Sequence, residues 1–296
     1  MAIEAPNWYK TAFIDRAIHV YQPMGYMLNG MTDAPVKVEG NQIKWMIAGR
    51  AEATTQQRGS IGPAMNAARS SVTATLADYQ ANDWSWEYDL EKIGPDENSV
   101  IQETCGRAIG RKKDRLIISE LNSLNGVTLI DATNGGAIAA NAAPFTLVMA
   151  LAGIVSLQQQ NTMQQGDRIV CGLPSLAFQQ FMSYRQVSDA DWVGYDGLPY
   201  KAGSPGVKGK EWNGVYWFRL PDEYCPVYAA NVLDFFMWNT RAVGFAENYE
   251  LRSTITWENL YSGWYHNNRF SAVAKTLLPN GVVRFRYGNT SALTIN

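Results

Sequence analysis

The sequence runs to 296 residues, enough for one large or two modest domains around a sizeable core. A formal charge of −2 at pH 7 with 18% charged residues excludes the basic stripe or tail of a dedicated nucleic-acid binder. Three cysteines, Cys105, Cys171 and Cys225, lie far apart with no CxxC pair, which argues against a disulfide framework or zinc ribbon and predicts buried free thiols.

Ten Trp and fifteen Tyr are more than a minimal surface needs, so much aromatic area belongs in a core or in interfaces. The first twenty residues lack the basic start and continuous apolar run of a secretory signal. The most apolar window, 142–157, is too short to span a membrane and is followed by Gln158, Gln159 and Gln160. A soluble chain, cytoplasmic when made and unprocessed, is the expectation.

Residues 1–35 have no strong period but carry Trp8, Tyr9, Phe13, Ile18, Tyr21, Met24, Tyr26, Met27 and Leu28. They fit an extended arm lying on another surface, or a small helix near 11–21 docked on its own domain. From Val36 the pattern alternates, with Val36, Val38, Ile43, Trp45 and Ile47 against Lys37, Glu39, Lys44 and Met46, as in a half-buried strand. Residues 48–71 are poor in large apolar groups and cannot bury much of themselves. A second alternating stretch over 71–88 sets Val72, Ala74, Leu76 and Tyr79 on one side. Two strands around a long polar tip predict a projecting β-hairpin, with a disordered surface loop as the alternative.

The clearest element follows. Pro95 sets an entry turn, Asp96, Asn98 and Ser99 are good caps, and Ser99 with Gln102 has capping-box spacing. Ile101, Cys105, Ala108, Ile109, Leu116, Ile117, Leu121 and Leu124 then recur at helical spacing. Arg107, Arg111, Lys112, Lys113, Asp114 and Arg115 are assigned to the polar face. A helix over 96–124 is expected, its Ser99 to Leu124 part spanning roughly 40 Å, as a strut does.

A short strand is expected at 127–130, then a helix over 145–160, apolar all round and so buried, with Pro144 at its first turn. Residues 168–173 read as a buried strand, with Ser175 capping a helix over 176–184. The glycine-rich segment 187–214 is loop, and 215–220 a strand stopped by Pro221. Residues 227–244 read as a helix or strand–helix, and strands near 250–257 and 281–287 finish the chain.

No catalytic constellation stands out. His19 and His266 fit no metal pattern, and Ser175 lies in no nucleophile elbow. Residues 203–210 nearly form a phosphate loop, but the glycines are one residue too far apart and Glu211 replaces the magnesium-binding hydroxyl. Acidic clusters at 83–89 and 189–191 carry no mark of shifted ionisation. Trp257, Tyr261 and Tyr265, about four apart, would share one helical face in a core or interface, although with Trp264 they could also stack sugars.

The succession of arm, polar-tipped hairpin, long strut, buried α/β region and late return to β structure resembles the Hong Kong 97-type major capsid proteins of tailed bacteriophages. The resemblance is carried by Tyr21-Gln-Pro-Met-Gly-Tyr-Met-Leu28, Lys44-Trp45, Ala53 to Arg58, Asp78-Tyr-Gln-Ala-Asn-Asp-Trp84, Asp89-Leu-Glu-Lys92, Ala108-Ile-Gly110, Asp114-Arg-Leu-Ile-Ile118 and Leu278-Pro-Asn-Gly-Val282. It implies an α+β capsid fold: an N-terminal arm at 1–35, an extended hairpin loop at 36–90, and a peripheral domain at 91–144 with its spine helix at 96–124. An axial α/β domain at 145–240 and a return to the peripheral domain at 241–296 complete it.

The implied function is self-assembly of pentamers and hexamers into an icosahedral shell around double-stranded DNA, without enzymatic activity, cofactor or metal. The implied partners are a portal, a separate scaffolding protein, a decoration protein and packaged DNA met without sequence preference. The implied place is the virion capsid, assembled in the host cytoplasm. Trp45, Arg50, Arg58, Arg69, Arg111 and Lys112 are the candidate inter-subunit contacts. The tip at 48–71 holds arginines and no lysine, so lysine cross-linking is not carried over. Two alternatives stand beside this reading: an encapsulin-type compartment, and a glycan-binding module using Trp257, Trp264 and Tyr265.

Overall fold

A computed structural model describes residues 25–34, 38, 40–53, 55, 58–59, 61, 64–87, 97–131, 144–163, 166–188 and 209–289. The arm up to residue 24, the expected helix near 11–21, the acidic cluster at 189–191 and residues 203–208 of the phosphate-loop lookalike lie outside them.

The strut is helix α1, Glu97–Ser123, 27 residues long. It starts before Ser99, so Asn98 and Ser99 sit inside its first turn rather than capping it. Ile101, Cys105, Ile109, Ile117, Ile118 and Leu121 form its buried stripe. Lys113 and Asp114, assigned to the polar face, are instead buried at 8% and 0% exposure. Charge was a poor guide there because each has a partner elsewhere in the fold.

Strands β1 (Gln42–Ala48) and β2 (Arg69–Thr75) pair antiparallel from Gln42↔Thr75 to Ala48↔Arg69. The expected alternation holds: Ile43 and Trp45 are buried while Lys44 and Met46 face out. The second alternating stretch is two strands rather than one. After the single residue Leu76 the chain leaves the hairpin as β3 (Ala77–Trp86), which pairs with β11 (Gly263–Thr276), itself paired with β10 (Val243–Glu258). Leu76 donates its N–H to Asn41 and is buried with Val38, Ile43, Trp45, Ala74, Ala246 and Leu277 at the hairpin root.

The third sheet has seven strands: β4 (Thr128–Ile130), β5 (Ile169–Leu173), β6 (Gly209–Trp212), β7 (Val215–Arg219), β8 (Val227–Ala229), β9 (Val232–Asn239) and β12 (Val282–Gly288). Their order is β4-β12-β9-β5-β7-β6, with β8 added to β9. The β5–β7 and β4–β12 pairs are parallel and the other pairs antiparallel. Residues 227–244, read as helix or strand–helix, are therefore mainly strand. Every residue of β9 is buried, and a strand covered on both faces shows a continuous apolar run that periodicity cannot tell from a buried helix.

Helices α2 (Leu147–Gln159), α3 (Ser175–Ser183) and α4 (Arg185–Ser188), with short 3-10 turns at Asp222–Tyr224, Thr240–Ala242 and Pro279–Gly281, complete the described elements. Helix α2 is capped by the Thr146 side chain rather than opened by Pro144. Ser175 is the first residue of α3, not its cap; its N–H is met by the Asp222 carboxylate at 2.7 Å. The large core holds Phe145 edge-on to Phe235 at 5.5 Å, and Phe235 stacked on Phe285 at 4.9 Å. Each ring contributes roughly 1.5–3 kcal/mol by leaving water.

Candidate inter-subunit surfaces

Four surfaces are built by this fold, the first of which fastens the start of the described chain to the strut. The Asp114 carboxylate accepts the N–H groups of Met27 and Leu28 at 2.9 and 3.0 Å. Burial pushes its carboxyl above the ordinary value, while N–H groups of Leu28, Met27 and Tyr26 pull it back. Next to it Lys113 reaches Glu247 of β10 at 2.6 Å and lies over the Tyr26 ring at 5.0 Å. Burial first, then the Glu247 and Asp114 charges, lifts the Tyr26 hydroxyl to about 12. The backbones cross at two glycines: a Cβ on Gly110 would lie 2.5 Å from Gly25 Cα. Asp33 then bridges to Gly244, and Trp238 Nε1 donates to Met31 O at 2.8 Å.

The hairpin is the second surface. Arg50, Arg58 and Arg69 are exposed along its described length, and Arg50 pairs with Glu52 at 2.7 Å. Lys44, Met46, Ile47, Ala48, Arg69, Ser70 and Ser71 line an open groove of about 370 Å³. Trp45 points the other way. It is 8% exposed and packs on Gly244, where an added Cβ would meet the indole at 2.9 Å. Of the other candidates, Arg111 is half-buried on α1, and the exposed Lys112 lies over the Tyr79 ring at 4.7 Å. The six candidates thus do not converge: three line the hairpin, one holds its root, and two sit on the strut.

Sequence reasoning missed the third surface. Helix α2, expected to be buried all round, leaves Val148, Leu151 and Val155 exposed at 74%, 39% and 47%. They recur at i, i+3 and i+7 opposite Met149, Ile154 and Leu157, which enter the core. A helix apolar on every side is either enclosed by its own chain or covered by another, and composition does not separate the two.

The fourth is the far end of the β10–β11–β3 sheet. Trp257, Tyr261 and Tyr265, expected to share one helical face, lie instead on two strands and their turn at 259–262, with Trp257 facing Trp264 across the hairpin. Four-residue spacing arose from two strands and their turn rather than from a helix. The Trp257 and Trp264 rings lie 5.2 Å apart, and on the other side Trp84 contacts Trp86, Tyr261 and Tyr265.

Among the described residues no group of His, Cys, Asp and Glu could hold a metal, and no helix is long and apolar enough to cross a membrane. All three cysteines are free and buried, as expected. His266 is buried, its Nε2 3.0 Å from Asn98 Oδ1 and 3.3 Å from Ser85 Oγ. Lys210, in the former phosphate-loop lookalike, is buried and donates to the Val187 carbonyl.

A long strut, a hairpin springing from a second small core and a seven-stranded sheet with flanking helices together make the fold of phage shell subunits. The family model described as phage capsid protein matches residues 5–288, and the chain belongs to that family. The fold is similar to the capsid structure of the cyanophage P-SCSP1u, with TM-score 0.73 and 13% identity over 96% of this chain and 94% of that one. The capsid of Ralstonia phage GP4 superposes with TM-score 0.71 and 11% identity, over 96% of each chain. A chain from Mycobacterium phage Che8 does so with TM-score 0.67 and 13% identity, over 94% of this chain and 97% of that one. No curated protein matches at the level of sequence.

Proposed function

We propose that this protein is the major capsid subunit of a tailed phage and assembles with copies of itself into a closed icosahedral shell around double-stranded DNA. The family match over residues 5–288 carries this reading. The geometry supplies a physical reason for it. A cationic hairpin and an apolar helix stripe both face outward, and such surfaces gain order and lose exposed apolar area against another subunit.

In this reading residues 1–35 are the N-terminal arm, 36–90 the extended loop over a neighbour, and 91–144 with 241–296 the peripheral domain. Residues 145–240 form the axial domain at five- and six-fold centres, where the α2 stripe is covered by adjacent copies. Its role is structural rather than enzymatic. A portal, a separate scaffolding protein and a decoration protein complete the particle, which assembles in the host cytoplasm.

The test is negative-stain electron microscopy with sedimentation velocity, on the protein alone and beside its neighbouring genes. Closed shells, or rings of five and six, are expected; monomers under every condition would overturn the reading.

A further inference from the structure

The two ends of the strut are fastened in different ways. At its C-terminal end Arg284 of β12 donates to the carbonyls of Asn122 and Leu124 at 2.7 and 3.2 Å, and a guanidinium keeps its charge at every ordinary pH. At its N-terminal end the fastening is His266 of β11, buried against the first turn. There Ser85 Oγ donates to Asn98 Oδ1 at 2.8 Å, and His266 Nε2 stands 3.0 Å from the same oxygen. A carboxamide oxygen only accepts, so Nε2 carries the ring proton and Nδ1 is the bare nitrogen. Nδ1 is buried and has no hydrogen-bond partner among the described residues.

A second proton can enter this ring only at Nδ1, where it would put a charge and an unmet donor into a buried seam. The groups around the ring offer one way out. On β3, Asp83 stands directly opposite His266 in register; it is exposed, and its Oδ1 accepts the Trp84 N–H at 2.9 Å. On α1 the titratable groups are Glu97, beside Asn98 in the first turn, and Cys105 on the buried stripe, while Glu103 pairs with Arg107. Burial, then the Asp83 charge, pushes the Cys105 thiol up, so it stays neutral. Strand β10 sets Ile255 opposite His266, with Ser253 and Trp257 on the same face, and on β11 itself that face carries Trp264 and Asn268. Burial holds the imidazole below its ordinary value, and Asp83 is the charge that pulls it back.

We propose that His266 is a two-position latch on the strut: neutral, it binds the first turn through Asn98; protonated, it swings to the Asp83 carboxylate at the rim and lets that turn go. The proton comes from solvent, and the move exchanges a buried neutral hydrogen bond for an ion pair at the surface. It is confined to the start of α1 and to the strand ends beside it, because Arg284 at the other end does not titrate. The latch belongs to the single chain and goes beyond the shell reading without resting on it. Its direction follows from linkage. The latched ring binds a proton less readily than a released one, so the latched form prevails above about 6.5. Each unit of pH below that multiplies the released fraction about tenfold, until pH passes the value of the latched ring.

Hydrogen–deuterium exchange of the full chain between about pH 7.5 and about pH 5, corrected for the intrinsic rate at each pH, tests the latch. Exchange in residues 97–104 is expected to rise about tenfold per unit below about 6.5, while residues 115–123 and β9 keep their protection. His266→Gln retains a donor for Asn98 but cannot take a charge, and is expected to hold 97–104 at one rate across the range. Asp83→Asn, a change at an exposed position, removes the second partner and is expected to move the onset to lower pH. A flat rate for 97–104 in the native chain, or the same rise in His266→Gln, overturns the latch. An onset unmoved by Asp83→Asn overturns its second position. Acceleration of 97–104, 115–123 and β9 together means that acid unfolds the whole chain, and overturns the latch as well.

Discussion

Asp114 shows how one side chain decides whether a segment belongs to the fold. Its carboxylate satisfies two backbone N–H groups that would otherwise be buried beside an apolar helix face. Asparagine has only one acceptor oxygen, and its amide would point donors at donors. Asp114→Asn is expected to cost about 1–3 kcal/mol in chemical denaturation and to expose the 25–34 turn to protease. Gly110→Ala tests the same junction by volume. A methyl 2.5 Å from Gly25 Cα cannot be absorbed by a flexible side chain, because backbone stands on the other side. The expected loss is again about 1–3 kcal/mol.

His266 gives the residue-scale pH dependence. Burial holds its imidazole below the ordinary value of 6.5, with Asp83 pulling the other way. The folded chain therefore binds this proton less readily than the unfolded one. Its contribution is present above about 6.5 and is lost as pH falls below it. Denaturation midpoints are expected to decline in that window, and His266→Gln to remove the decline; an unchanged slope would show that other groups cause it.

Among the elements, those whose signals are local were readable from the sequence. Helix α1 announced itself through Ile101, Cys105, Ile109, Ile117 and Leu121, and β1 through the alternation of Ile43, Trp45 and Ile47. What failed did so for tertiary reasons. Lys113 and Asp114 look like surface charges until Glu247 and the 25–34 backbone are placed beside them. Strand β9 looks helical until it is found buried along its whole length inside the sheet, and α2 looks buried until one stripe proves to be exposed. The division at Leu76 was invisible because one alternating pattern serves two sheets. Of the candidate contacts, Arg50, Arg58 and Arg69 were legible as the arginines of a tip poor in large apolar groups. The aromatic end of the β10–β11–β3 sheet was not, since β3 and β11 lie far apart in sequence. At this scale Leu151→Asp with Val155→Asp is expected to leave the far-ultraviolet spectrum unchanged but block assembly. Shells of normal yield would remove the α2 stripe from any interface.

The whole molecule has two cores of unequal size. One spreads over β5, β7, β9 and β12 of the central sheet, its flanking helices and the strut, while the other is the small cluster around Trp45. Their stabilities are expected to differ accordingly. Trp45→Ala removes the largest side chain of the small cluster, a change that typically costs about 3–5 kcal/mol. Amide exchange is expected to accelerate across residues 42–75 while β9 and β12 keep their protection. Uniform loss of protection would mean that the hairpin and the sheets unfold as one unit.

The position of β12 has a further consequence, in the time domain. Residues 282–288 insert between β4 and β9, elements synthesised long before them. Until residue 288 exists, β4 has no partner in the sheet and one edge of β9 stands open. Such long-range pairing closes slowly and leaves a sticky edge meanwhile. Synthesis therefore has to run almost to the end of this sequence before the central sheet can close, so a polypeptide truncated ahead of β12 should aggregate rather than wait.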